Sequence, residues 1–176
     1  MQLPHGYRYG FTLIELMVVV GILALVSGIM IPSFSNYTRN QSLKEAQENF
    51  KSDLRSIQNM ALTGMGSDRT DSAGRYARYW GVSYASGAFS YSVYLLTAAN
   101  CNDLSYRIES QTLNLPSNIT FNTGSSGCLL FSLEDGSVYT TGGGPINTVN
   151  ISLRHNASST TKTITVNRPG LIYSSN

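Results

Sequence analysis

Gly10-Phe11-Thr12-Leu13-Ile14-Glu15-Leu16 opens an apolar run that continues, with only small or weakly polar interruptions, to residue 31 and gives way at Pro32. As an α-helix rising about 1.5 Å per residue, residues 11–31 extend about 30 Å, the thickness of a bilayer's hydrocarbon core. Glu15 is the only charge within that run. A carboxylate there costs about 2.5 to 3.5 kcal/mol on insertion scales, so a bare anchor would gain by carrying Leu instead. Its presence asks for a partner that rewards it.

The ordered set Gly10, Phe11 and Glu15 at the head of an apolar helix resembles the processing site of type IV prepilins and of the pseudopilins of type II secretion. That resemblance implies a prepilin peptidase that cuts between Gly10 and Phe11 and methylates the new amino terminus of Phe11. It further implies that Glu15 pairs with the free amine of a neighbouring subunit as the helix enters a filament. In a low-dielectric bundle an unpaired carboxylate and an unpaired ammonium are each costly, so pairing offsets both penalties and fixes axial register. The alternative for Glu15 is a charge that snorkels to a membrane interface.

On this reading residues 1–10 are a leader, 11–32 a transmembrane and assembly helix, 33–63 its amphipathic continuation, and 64–176 a β-rich domain. The leader is short and polar, and its apolar region follows the cut instead of preceding it, unlike a conventional secretory signal. Processing therefore leaves the membrane helix on the mature chain. Charge alone does not orient the span, because Arg8 is opposed by Arg39, Lys44 and Lys51. A cytoplasmic leader, a single pass through the inner membrane and an exported domain are what the resemblance implies. The implied partners are the peptidase, other pilin or pseudopilin subunits, and inner-membrane lipid before assembly.

At 176 residues the chain has room for one modest globular core beyond the span, and its net charge of +2 implies no nucleic-acid or acidic-surface partner by itself. The charge is unevenly spread. No Asp or Glu occurs from 136 to 176, where Arg154, His155, Lys162 and Arg168 lie. The two cysteines, Cys101 and Cys128, both follow the span, and an even count in an exported domain points to one disulfide. Closing that loop is worth about 3 to 4 kcal/mol in the chain-entropy account. Two buried free thiols are the alternative.

Pro32 inside a helix removes one backbone hydrogen bond and permits a bend. Gly21 and Gly28 either permit close helix approach or are ordinary membrane-helix glycines. Beyond them Leu43, Ala46, Phe50, Leu54, Ile57 and Ala61 recur at steps of three or four, which draws one apolar stripe on a continued helix. Lys44, Glu48, Lys51 and Arg55 occupy its other faces. The helix, some fifty residues long, should stop near Gly64 and Gly66.

From Tyr76 onward the pattern alternates and is rich in β-branched and aromatic residues. Strands are expected at 79–84, 88–97, 105–113, 119–122, 129–133, 148–154, 162–167 and 171–173, paired antiparallel across turns such as Glu134-Asp135-Gly136 and Arg168-Pro169-Gly170. Gly142-Gly143-Gly144-Pro145 reads as a connector and 156–161 as a polar loop tip. The fold class is α+β, a long amino-terminal helix packed on an antiparallel β-rich domain. Trp80-Gly81-Val82, Phe131 before Asp135-Gly136, and Ile164-Thr165-Val166 before Gly170 make this pattern similar to the GspH/FimT-like minor pilins and pseudopilins.

No catalytic constellation emerges. The histidines are His5, in the leader, and His155, read as an exposed loop residue, and neither has a cysteine or acid partner at ligand or triad spacing. Asp68 with Asp71, Asn102 with Asp103 and Glu134 with Asp135 lack an EF-hand rhythm and read as turn chemistry. The eleven tyrosines read mostly as strand residues with one apolar face. No cofactor or metal is expected. The expected role is a structural minor pilin or pseudopilin of a type IV pilus or type II secretion filament, and not an enzyme. The alternative is a minor pilin that holds DNA during uptake, which the resemblance would assign to a basic patch of Arg154, His155, Lys162 and Arg168. The closing segment lacks the clustered arginines that such proteins place around their final glycine.

Overall fold

The computed structural model describes residues 10–141, 144 and 146–175, with backbone only at 29–33 and 175. The leader residues 1–9, three residues of the expected connector (Gly142, Gly143, Pro145) and the side chain of Pro32 lie outside the described residues. One helix, α1, runs Leu13–Leu62, a length of 50 residues. Nine strands follow among the described residues: β1 (Tyr79–Tyr84), β2 (Ser90–Leu96), β3 (Arg107–Asn114), β4 (Ile119–Phe121), β5 (Gly127–Ser132), β6 (Val138–Thr140), β7 (Thr148–His155), β8 (Thr161–Asn167) and β9 (Ile172–Ser175).

The chain divides after Thr38 into two units. The first holds the apolar part of α1, whose large side chains are exposed on every face, among them Leu13, Leu16, Val20, Leu23 and Leu25. Among the described residues no helix is long and apolar enough to cross a membrane. The described apolar side chains of α1 end at 28, which makes about 24 Å of helix against a hydrocarbon core of about 30 Å. The span expected at 11–32 includes side chains beyond that limit.

The second unit begins at Arg39 and takes in the rest of α1 with all the strands. Every pairing is antiparallel, in a five-stranded sheet ordered β3-β2-β1-β5-β6 and a four-stranded sheet ordered β4-β7-β8-β9. Alternation along each strand gives the sheets one apolar face. Trp80 lies between Leu95 and Phe131, and Val82 between Val93 and Leu129. In the other sheet Ile151 faces Ile164, and Val166 faces Ile172.

Both apolar faces meet the stripe on α1. Leu43, Ala46, Phe50, Leu54, Ile57 and Ala61 are each at most 3% exposed and share one core with the two sheets. Phe50 is its hub. Its ring lies 4.8 Å from that of Tyr91 in the first sheet and 5.3 Å from that of Phe121 in the second, both edge-to-face. Such contacts add about 0.5 to 1.5 kcal/mol beyond area burial.

A neighbouring row of α1 handles the open edge of the second sheet. Gln47 donates to the Thr163 carbonyl at 2.8 Å, Lys51 to the Ser174 hydroxyl at 3.3 Å and Arg55 to the Ile172 carbonyl at 2.9 Å. Positions 47, 51 and 55 are four apart and so stack along one side of the helix. Gln47 reaches β8 and the other two reach β9, the edge strand, so the helix side covers part of an edge that would otherwise offer itself to another chain.

The helix stops by chemistry local to its end. Gly64 has φ +66°, the Gly64 N–H donates to the Ala61 carbonyl and the Met65 N–H to the Met60 carbonyl, which together make a Schellman cap. At Gly136, φ +71°, a Cβ would run into Leu62, so the β5–β6 turn can close over the helix end only with glycine there. On the outer face of the first sheet the Cys101–Cys128 disulfide, with Cα atoms 6.4 Å apart across a separation of 27, joins a small cluster with Tyr94, Leu96 and Leu130.

Three departures from the sequence expectation are local. β6 lies outside the expected strands, and its three residues Val138, Tyr139 and Thr140 pair with β5 as its short hairpin partner. The leading residues of the expected 88–97 strand are turn, since the Phe121 and Leu115 amides bond to Ala88 and Phe89 there. His155 closes β7, paired with Ile119 and half-buried, and is not an exposed loop residue.

The acidic turns are used up locally. Asp103 accepts from the Ser105 amide and Asp135 from the Ser137 amide. Asp71, whose side chain is 1% exposed, accepts from the amides of Ala73 and Arg75, the Arg75 guanidinium and the Thr97 hydroxyl. Burial pulls its carboxyl upward, but the Arg75 amide, the Thr97 hydroxyl and the Arg75 side chain outweigh that and hold it at about 2.

Two outcomes follow for solution measurements on the detergent-solubilised chain. Phe50→Ala should cost about 3 to 5 kcal/mol in urea unfolding and Phe50→Leu clearly less, since the larger truncation leaves a void between the two sheets. Asp71 is depressed on folding, so its stabilisation is complete above its unfolded value of about 4 and fades as pH falls through about 2. Thermal unfolding from pH 5 down to 2 should show this loss, and Asp71→Asn should be less stable at neutral pH and flatter across that window.

Candidate functional site

Helix α1 begins at Leu13 because Thr12 caps it. The Thr12 hydroxyl accepts from the Glu15 amide at 3.3 Å and the Thr12 carbonyl accepts the first helical bond, from Leu16, at 3.2 Å. Thr at the cap with Glu three residues on is a capping-box sequence, and the cap is worth about 0.5 to 2 kcal/mol. The sequence reading named Glu15 but not Thr12, although Thr-x-x-Glu before an apolar run is the signal for it.

The consequence is a boundary. Gly10 and Phe11 lie ahead of the cap, outside the helix, and both are exposed, Phe11 at 78%. The peptide bond between them is free of helical hydrogen bonds. Glu15 sits in the first turn, where the positive end of the helix dipole favours an anion by about 0.3 to 1 kcal/mol. Its carboxylate has no hydrogen-bond or ion-pair partner among the described residues.

Around this carboxylate the first unit presents an unbroken apolar surface. Leu13, Ile14, Met17, Val18, Ile22 and Val26 are each between 46% and 77% exposed. That surface suits lipid or a bundle of like helices, and Glu15 is the one ionisable group on it. Gly10, Phe11 and Glu15 are thus brought together by sequence proximity, with Thr12 setting their geometry.

The other expected site residues are distributed differently. Arg154 and Lys162 lie on the β7–β8 hairpin, but Arg154 pairs with Thr161 and Lys162 with Leu153, so they project to opposite faces. Arg168 follows β8 at its far end, about 20 Å of strand away. The four residues read from sequence as one basic patch do not form one. What the fold adds is Arg39 of α1, which donates to the Ala157 carbonyl at the hairpin tip at 3.2 Å.

A cleft of about 640 Å³ lies between α1 and the first sheet, floored by Ile57, Met60, Trp80 and Leu113. Arg69 is tied to Glu109 and Asp53 to Tyr91 at its mouth, so these charged groups are spent on one another.

Known proteins match part of the chain. Residues 6–31 fit the prokaryotic N-terminal methylation motif. The prepilin peptidase-dependent protein D of Escherichia coli (strain K12) is 44% identical over 62 residues, which are 35% of this chain and 42% of that protein. The chain thus matches less than half the length of that curated relative. No solved structure matches it. The methylation motif thus lies over Gly10, Phe11 and Glu15, at the head of an amino-terminal helix that continues into an antiparallel β-rich domain.

Proposed function

We propose that the chain is a minor pilin or pseudopilin, cut by a prepilin peptidase between Gly10 and Phe11, methylated on Phe11, and assembled through α1 into a type IV pilus or type II secretion filament. The methylation motif at 6–31, ending in a capped helix whose scissile bond lies outside the helix, carries this reading. Before assembly the run 11–32 holds the chain in the inner membrane with the β domain exported. During assembly the exposed apolar faces of 13–28 leave lipid for neighbouring helices, an exchange of one apolar surround for another.

Glu15 then decides registry. An unpaired carboxylate in that bundle is costly, and the amine freed at Phe11 of a neighbour is the cation that processing itself creates. Cleavage and charge pairing are therefore linked, because the partner for Glu15 does not exist until the leader is removed. Pro32 lies where the apolar part of α1 gives way to the part that packs on the sheets, and it permits bending as subunits are drawn in.

Co-expression with a prepilin peptidase should shift the chain to a product whose first residue by mass spectrometry is N-methylated Phe11. Glu15→Ala should still be cut and yet fail to enter filaments in a shear-release assay. An uncut leader, or assembly of Glu15→Ala at the level of the parent, would defeat this reading at its central step.

A further inference from the structure

The two sides of α1 treat the two sheets differently. Gln47, Lys51 and Arg55 reach the second sheet, whereas Asp53, Ser56 and Met60, turned about 180° around the helix, line the cleft against the first. The far wall of that cleft is β3, the last strand of its sheet.

β3 is eight residues long, carries no proline or lysine, and leaves Glu109, Ser110, Gln111, Thr112 and Asn114 exposed. The Leu115 N–H bonds to the Phe89 carbonyl, and the antiparallel ladder continues from that pair. Leu113 and Gln111 therefore exchange hydrogen bonds with β2, while the backbone N–H and C=O groups of Ser110, Thr112 and Asn114 face away from it. Such an edge is a template for one more strand.

A strand added there would lie about 4.8 Å beyond β3, with alternate side chains turned toward α1 over the cleft. The lining along β3 specifies those side chains. Leu113 is paired with Tyr91, whose hydroxyl donates to Asp53. Gln111 is paired with Val93, which shares the cleft floor with Ile57 and Met60. Glu109 is paired with Leu95, which lies against Gly66, at the head of the segment that carries Asp68 and Arg69. The order is acid, apolar, acid. Arg69 is paired with Glu109, the Tyr91 phenol is a neutral partner for Asp53, and Asp68 takes part in no ion pair of the described residues. Asp53, Asp68 and Glu109 against Arg69 leave the lining net negative.

We propose that β3 and this cleft bind an extended segment of a partner polypeptide, added antiparallel to β3, with basic, apolar and basic side chains at alternate positions turned into the cleft. Main-chain hydrogen bonds to Ser110, Thr112 and Asn114 hold the segment, its central apolar side chain meets Met60 and Val93, and its flanking Lys or Arg meet Asp53 and Asp68. The proposal concerns only the unit that begins at Arg39 and needs neither the processing nor the assembly given under Proposed function.

The test titrates the full chain, in an uncharged detergent, into a fluorescein-labelled peptide with blocked ends, Thr-Lys-Thr-Leu-Thr-Lys-Thr, and reads anisotropy. Binding should saturate, weaken at raised salt and be absent for the peptide with Glu in place of Lys. N-methylation of the two inner Thr, whose N–H groups face β3 in this register, should abolish binding, whereas N-methylation of the Leu and one Lys, whose N–H groups face outward, should not. In the protein, Asp53→Asn with Asp68→Asn should weaken binding by about tenfold, and Glu45→Gln, outside the cleft, should leave it unchanged. Thr112→Pro removes an outward N–H without touching a bond to β2 and should abolish binding with the near-UV circular dichroism intact.

A Lys peptide that does not bind, that binds no better than the Glu peptide, or that loses binding equally with either pair of N-methyl groups overturns the proposal. Self-association of the chain that Thr112→Pro abolishes, with no peptide bound, gives the edge to a second copy and overturns it as well. The N-methylated peptides alter nothing in the protein, so they decide the matter even where Thr112→Pro fails to fold.

Discussion

The contact between the apolar stripe of α1 and the two sheets is the constraint on which the rest of the domain depends. Neither sheet packs face to face on the other alone; both close on the same helix surface, with Phe50 touching Tyr91 of one and Phe121 of the other. Removing α1 would expose two apolar faces at once. That explains why one long helix bridges both units: its second half is the domain's core element and cannot be dispensed with, while its first half is exposed and uncommitted.

Burial along the stripe gives the helix its rotation, and the row of Gln47, Lys51 and Arg55 gives it its partner strand. Apolar contact is non-directional and would tolerate sliding; three donors aimed at fixed acceptors on β8 and β9 do not. They also reduce an edge hazard. Lys51 and Arg55 engage β9, one edge of the second sheet, from the side of the same helix.

Much of this was legible in the sequence, for reasons that differ by element. The stripe from Leu43 to Ala61 repeats at helical spacing, and all six residues are buried. Eight strands were visible because alternation and turn residues are local signals. Val138–Thr140 was not, since three residues carry no periodicity. The order of strands, and the bond from Gln47 to a carbonyl 116 positions away, depend on tertiary closure that no local pattern encodes. At the candidate site the balance is reversed. Gly10, Phe11 and Glu15 form a short ordered motif and were readable directly, whereas the basic residues from Arg154 to Arg168 looked like one patch in sequence and were separated by strand alternation and strand length.

Thr12 bears on how Glu15 can act. A glutamate three residues after a capping threonine ordinarily turns back to its own helix end, and that would satisfy the carboxylate within one subunit. The Thr12 hydroxyl takes the Glu15 amide, which is one half of that arrangement, and the Glu15 side chain does not make the other half. If Glu15 pairs across a filament as proposed, a backbone held by this cap would place its carboxylate at one height on the helix and so favour one axial offset between neighbours.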